Sequence, residues 1–139
     1  MTASRFEEFD IGMQAPEQRF EVDTLTLVKY CGAADDYARQ HWDHLYMTQL
    51  GFGGVVGHGW LTFAYMCRTV TDWMPLEVAD IRGYAVRYHR PTLPGVLHCG
   101  AEITGKDETA GKRRLTLKLW ARDAAGEIIA SSPMTLEFV

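Results

Sequence analysis

From Pro75 to the end of the chain, apolar and polar residues alternate with a period of two. Ile81, Gly83 and Ala85 alternate with Arg82, Tyr84, Val86 and Tyr88. Leu97, Cys99, Ala101 and Ile103 line one side of the next run, Leu115, Leu117, Leu119 and Ala121 the following one, and Met134, Leu136 and Phe138 the last. Turn signals lie between them at Pro91–Gly95, Lys106–Gly111 and Ala124–Gly126. Period-two runs with turns between them predict an antiparallel meander with one covered face.

The first half reads differently. Residues 1–18 mix proline, glycine and charge and predict a surface arm. Phe20 and Val22 alternate into a short strand. From Asp23 or Thr24, either of which can cap a helix, Leu25, Val28, Cys31 and Ala34 recur at helical spacing. This helix is expected to stop near Asp35. A second, short helix is predicted over 43–50. Five glycines between Gly51 and Gly59 mark tight turns and close backbone approach. The stretch from Gly59 to Met74 then carries Trp60, Leu61, Phe63, Ala64, Tyr65, Met66, Cys67 and Val70, apolar on almost every side. Such a helix is expected to be buried. One buried helix followed by a run of strands predicts an α+β domain, with the sheet curled around the helix. A helix this apolar needs more cover than one small sheet supplies, so a dimer is expected.

Composition narrows the function. A chain of 139 residues suits one domain, taken here as 1–139, and can bury a core. At 47% hydrophobic and 23% charged it is a globular protein. Its net charge of −4 gives nucleic acid no footing as a partner. The three cysteines, Cys31, Cys67 and Cys99, are widely spaced without a CxxC, which fits reduced thiols and a cytoplasmic setting. No apolar leader begins the sequence, and the apolar stretch near 60–70 is too short for a bilayer.

Chemistry centres on "DYARQHWD", residues 36–43. Asp36 and His41 are five apart, which on a helix turns them ~140° from each other. They converge only if the helix ends between them, and would then hold one water for proton transfer. An exposed loop acid beside an unrelated histidine is the other reading of the same residues. Gly59, at the start of the apolar helix, offers amides without intrahelical partners, a place for a developing oxyanion. A plain tight turn reads the same way, and His58 is equally a structural or a functional residue. His41, Asp43 and His44 crowd three potential ligands into four residues, which no zinc motif does, so no metal is expected. Cys67, inside the apolar helix, reads as an inert core thiol.

Taken together, "DYARQHWD", "GFGGVVGHGWL", the lead-in "LVKYCGAADDY" and "VRYHRPTLPGVLHCGAEITG" resemble the MaoC-like hydratase/dehydratase family, which has the hotdog fold. The family motif runs Asp-x-Asn-Pro-x-His-x-Asp, followed by a glycine-rich turn and a His-Gly. The resemblance implies that Asp36 and His41 are a catalytic dyad, and that the Gly59 N–H polarises a thioester carbonyl. It implies a hydro-lyase of fatty-acid-type metabolism that reversibly hydrates a trans-2-enoyl thioester of CoA or an acyl-carrier protein to the (R)-3-hydroxyacyl product. No metal or organic cofactor is implied. Arg39, His58, Trp60 and Phe63 are candidate substrate contacts, and Arg87, Arg90, Lys112, Arg113 and Arg114 candidate CoA phosphate contacts. A homodimer or higher even oligomer is implied.

Ala38 and Arg39 stand where the family has Asn-Pro. Both are good helix formers, so the lead-in helix is free to continue and part the dyad unless other contacts stop it. Arg39 also brings a cation towards Asp36, either to depress its basicity or to bind an acidic substrate group. A hotdog thioesterase, and an acyl-binding subunit of a larger dehydratase, are the alternative functions.

Overall fold

The first helix, α1 (Thr24–Ala34), starts where Asp23 accepts the Thr26 N–H at 2.7 Å. In the computed structural model, which describes residues 5–139, α1 follows strand β1 (Gln18–Val22) and precedes a short helix α2 (His44–Gln49) and the central helix α3 (Gly59–Trp73). The strands β2 (Ala79–Tyr84), β3 (Arg87–Tyr88), β4 (Gly95–Thr109), β5 (Lys112–Arg122) and β6 (Ile128–Phe138) complete the chain.

The sheet is antiparallel in the order β1-β4-β5-β6-β2, with β3 also pairing to β6. Register shifts between Ile103 and Gly105 and between Ile81 and Gly83 bend it. The result is a strongly curved sheet around α3, a hotdog fold. The hairpin expected to turn over Lys106–Gly111 is tighter. β4 pairs through Thr109 with Lys112, and Ala110 and Gly111 alone make the turn, both at positive φ.

Leu97, Cys99, Ala101, Ile103, Leu115, Leu117, Leu119, Ala121, Met134 and Leu136 form the floor of the core. α3 lays Leu61, Phe63, Met66 and Val70 onto it. Its other face is not buried in the single chain: Trp60, Ala64 and Arg68 are exposed. Two threonines sit on its buried side. Thr62 shares a 2.7 Å hydroxyl bond with Thr92, and Thr69 donates to the Tyr65 carbonyl.

The N-terminal segment is more than a surface arm. Phe6 and Phe9 are buried, edge-on to Phe138 at 5.3 Å and Trp73 at 5.5 Å respectively. Gly12 and Ala15 donate backbone N–H groups to β4 at Ile103 and Ala101. Each buried phenyl contributes roughly 1.5–3 kcal/mol.

Candidate active site

α1 ends at Ala34 because Asp35 adopts the left-handed conformation, φ 52 and ψ 35, and donates its N–H back to Cys31. The Asp36 N–H bonds to the same carbonyl at 3.1 Å. The Asp36 carboxylate then accepts the Ala38 N–H at 3.2 Å, and Ala38 is extended at φ −56, ψ 130. A single 3-10 turn, Arg39–His41, follows. Trp42 fastens this loop by donating its indole N–H to the Tyr37 carbonyl. Helix-forming residues at 38 and 39 therefore do not carry the helix on. Local turn bonds stop it before them.

The turn brings Asp36 and His41 together, with Oδ2 3.9 Å from Nε2. Asp36 is about half exposed, its side chain at 48%, whereas His41 is buried. His41 Nδ1 lies 2.7 Å from the Val56 carbonyl. A carbonyl only accepts, so Nδ1 carries a proton, and it is Nε2 that faces Asp36. The glycine-rich segment is held in place by the same edge, since the Val56 N–H donates to the Gln40 carbonyl.

His58 lies under this pair. Its ring stacks on that of His41, centroids 3.7 Å apart and planes 20° from parallel, and Tyr30 meets it edge-on at 4.7 Å. Burial pushes the His58 pKa down, outweighing the hydrogen bond to the Asp36 carbonyl that raises it, so its ring is held neutral. Asp36, His41 and His58 each offer a metal-type ligand atom within 4.8 Å of the others. Imidazole lone pairs lie in the ring planes, however. Two near-parallel stacked rings cannot both aim at one ion at the ~2.0–2.1 Å that zinc requires. This arrangement suits proton transfer rather than a cation.

Gly59 opens α3, whose N-cap is His58 in an extended conformation. The His58 side chain makes no capping bond, so the first amides keep their donors. A Cβ at position 59 would lie 2.9 Å from Cζ of Tyr88, so any other residue there would make that ring shift. Gly59 and His41 line one cavity of about 440 Å³ with Gln40, Val56, Gly57 and Tyr88. His89, Arg90, Pro91 and Thr92 close its other side. A helix-start amide without an intrahelical partner thus shares a cavity with the His41 imidazole.

The remaining candidates fall in several places. Arg39 is not on Asp36: its Nε and Nη2 donate to Asp43 Oδ2 at 3.0 and 2.7 Å, and its guanidinium lies over the Tyr46 ring. Asp43 also caps α2 by accepting the Tyr46 N–H. That bond, and then Arg39, lower its pKa. Trp60 and Phe63 line a separate open cavity on the outer face of α3, about 590 Å³, with Tyr30, Cys67 and Tyr84. Burial pushes the Cys67 thiol up to about 11, which keeps it protonated and unreactive. Arg90 borders the cavity lined by His41 and Gly59, which Asp36 does not line, and pairs with Glu127 at 3.4 Å. Arg87 is exposed in β3 nearby. Lys112 and Arg114 pair with Glu137, and Arg113 with Glu7, at the opposite end of β6. The strand's 11 residues span roughly 35 Å, so these cations do not join Arg90 around one phosphate. Gln40, Tyr88, His89 and Thr92 carried no sequence signal, since only the tertiary fold brings them to the cavity.

The family model described as MaoC like domain matches residues 11–122. The fold is similar to that of the R-hydratase PhaJ1 from Pseudomonas aeruginosa in its unliganded form, with a TM-score of 0.83 at 18% identity over 96% of this chain and 84% of that one. It is similar to the (R)-hydratase from A. caviae involved in PHA biosynthesis, with a TM-score of 0.84 at 13% identity over 96% and 99%. It also matches the C-terminally truncated HadBC (3R-hydroxyacyl-ACP dehydratase) complex from Mycobacterium tuberculosis, at 0.76 and 17% over 91% and 96%. At these identities the likeness is one of fold. No curated protein matches the chain in sequence.

Proposed function

The chain belongs to the MaoC-like hydratase/dehydratase family, and from that premise we propose that it is a hydro-lyase adding water reversibly to a trans-2-enoyl thioester, giving the (R)-3-hydroxyacyl thioester. The observation that carries this reading is the approach of Asp36 Oδ2 to His41 Nε2 at 3.9 Å, with His41 sharing a cavity with the Gly59 amide.

With His41 neutral, both facing atoms are acceptors. A water about 2.8 Å from each donates one hydrogen to the carboxylate and one to the imidazole, leaving an oxygen lone pair for attack. That lone pair forms the C3–O bond as the C2=C3 electrons move towards the thioester carbonyl. Asp36 takes one proton of the water. The enolate oxygen is held by the Gly59 N–H, where the N-terminus of α3 favours negative charge. Collapse of the enolate takes a proton at C2 from the dyad, so one water is consumed and no redox step is needed. Dehydration is the reverse.

Arg90 and Arg87, beside the cavity, are the cations this reading assigns to the phosphates of CoA or a carrier-protein arm. Lys112, Arg113 and Arg114 lie at the opposite end of β6 from Arg90. The outward face of α3, with Trp60 and the neighbouring Tyr84 exposed, supports pairing with a second subunit, and HadBC, one of the similar structures, is a complex. No helix among the described residues is long and apolar enough to cross a membrane. The test is an absorbance assay across short, branched and carboxylated enoyl-CoAs, with a thiol reagent in parallel. Loss of the conjugated enoyl band without thiol release is expected. Thiol release would indicate a thioesterase instead.

A further inference from the structure

We propose that His58 is a positioning residue whose single buried imidazole fixes Asp36, His41 and Gly59 relative to one another. The inference rests on the hydro-lyase reading of the site. It assigns His58 a role other than direct contact with substrate.

Three observations meet at this ring. It is only 2% exposed, yet its polar contacts are made with the site rather than with solvent. Its Nε2 lies 3.3 Å from the Asp36 backbone carbonyl and 3.7 Å from Cys31 Sγ. Because the carbonyl accepts only, Nε2 is the protonated nitrogen, and it ties down the residue that carries the carboxylate. Its flat face supports His41 across 3.7 Å. Its backbone is the N-cap of α3, so whatever fixes the ring also fixes the peptide that presents the Gly59 N–H.

The cost of this placement supports the assignment. Nδ1 of His58 is buried with no hydrogen-bond partner among the described residues. An apolar residue would fill the same space without leaving a polar atom unsatisfied. As an N-cap the ring does not bond the helix amides, which is the usual structural reason for a polar side chain at that position. What the imidazole supplies, and an apolar ring would not, is the bond to Asp36. What it supplies, and a flexible amide would not, is the plane under His41. The ring stays neutral, so it does not compete with His41 for the proton in transit.

Two variants separate these contributions. His58→Gln keeps an N–H donor for the Asp36 carbonyl and loses the plane. His58→Phe keeps the plane and loses the donor. Misplacing a reacting group by about 1 Å costs on the order of 10²-fold in rate. Both variants are therefore expected to lower kcat by about 10- to 100-fold, with KM within about threefold of the parent. A folded variant with unchanged kcat, or a loss confined to KM, overturns the proposal. A readout independent of folding variants and of turnover is ¹⁵N NMR of the imidazoles in the parent protein at pH 7. It should find a neutral His58 ring with its proton on Nε2. A proton on Nδ1 of His58, or a charged His58, also overturns the proposal. If the parent hydrates no enoyl thioester, the reaction assignment fails while the NMR result still decides the ring's role.

Discussion

His41 donates its Nδ1–H to the carbonyl of Val56 at 2.7 Å, and that bond decides which nitrogen faces Asp36. The acceptor belongs to the glycine-rich segment that leads into α3. The loop carrying the candidate base and the helix carrying the candidate oxyanion donor are thereby fastened to each other.

The stop of α1 depends on Asp35, held at φ 52. Glycine reaches this conformation without steric cost. Asp35→Gly relieves the left-handed conformation but loosens the unfolded chain, so stability in urea denaturation is expected to stay within about 1 kcal/mol of the parent, with hydration activity retained. Asp35→Val should destabilise and, by letting the helix run on, lower activity.

At the other end of the site, Gly59→Ala drives a methyl into the Tyr88 ring. Because the Tyr88 ring is 43% exposed and can shift, the cost is expected at or below the low end of overpacking, about 1 kcal/mol, with a lowered kcat if the Gly59 peptide moves as well. Adding Tyr88→Ala removes the obstruction. The double variant should therefore melt higher than Gly59→Ala alone, once the cost of Tyr88→Ala itself is subtracted in a double-mutant cycle. Strict additivity in that cycle would mean that the two residues do not oppose each other.

Arg39 is committed to Asp43 and the Tyr46 ring rather than to Asp36. Arg39→Ala should leave the ratio of kcat/KM for a carboxylated and a plain enoyl-CoA unchanged. A drop confined to the carboxylated substrate would show that the guanidinium swings away to bind it.

His58 makes stability depend on pH. Its folded pKa is lowered from 6.5 by burial, so below 6.5 the unfolded chain binds its proton first. This contribution is complete above pH 6.5 and is lost as pH falls below it towards the folded pKa. Tm measured between pH 7.5 and 5 should fall more steeply for the parent than for His58→Gln. Parallel curves would show that His58 is not held neutral.

Features encoded locally were legible in the sequence. Asp23 caps α1 through its own neighbour's N–H, and Gly59 begins α3 where the glycines end. The alternation of Leu115, Leu117 and Leu119 places them on the inner face of β5. What escaped depends on distant partners. Phe6 and Phe9 show no periodicity, and their burial comes from Phe138 and Trp73. Tyr88 and Thr92 reach the cavity only once β3 and the loop after it lie beside α3. Propensity at Ala38 and Arg39 favoured more helix, but the turn bonds of Asp35 and Asp36 outweigh it.

The central claim is that Asp36 and His41 share a water with which they hydrate an enoyl thioester. Its most direct test is the initial rate of enoyl-absorbance loss for the parent, Asp36→Asn and His41→Ala, each checked for folding by circular dichroism, on the best substrate of the panel. Removing a general acid–base group typically costs about 10²–10⁴-fold, and a loss of that size is predicted for each variant, with both lacking even slow turnover above the solvent rate when combined. Folded variants that keep the parent's rate would contradict the account.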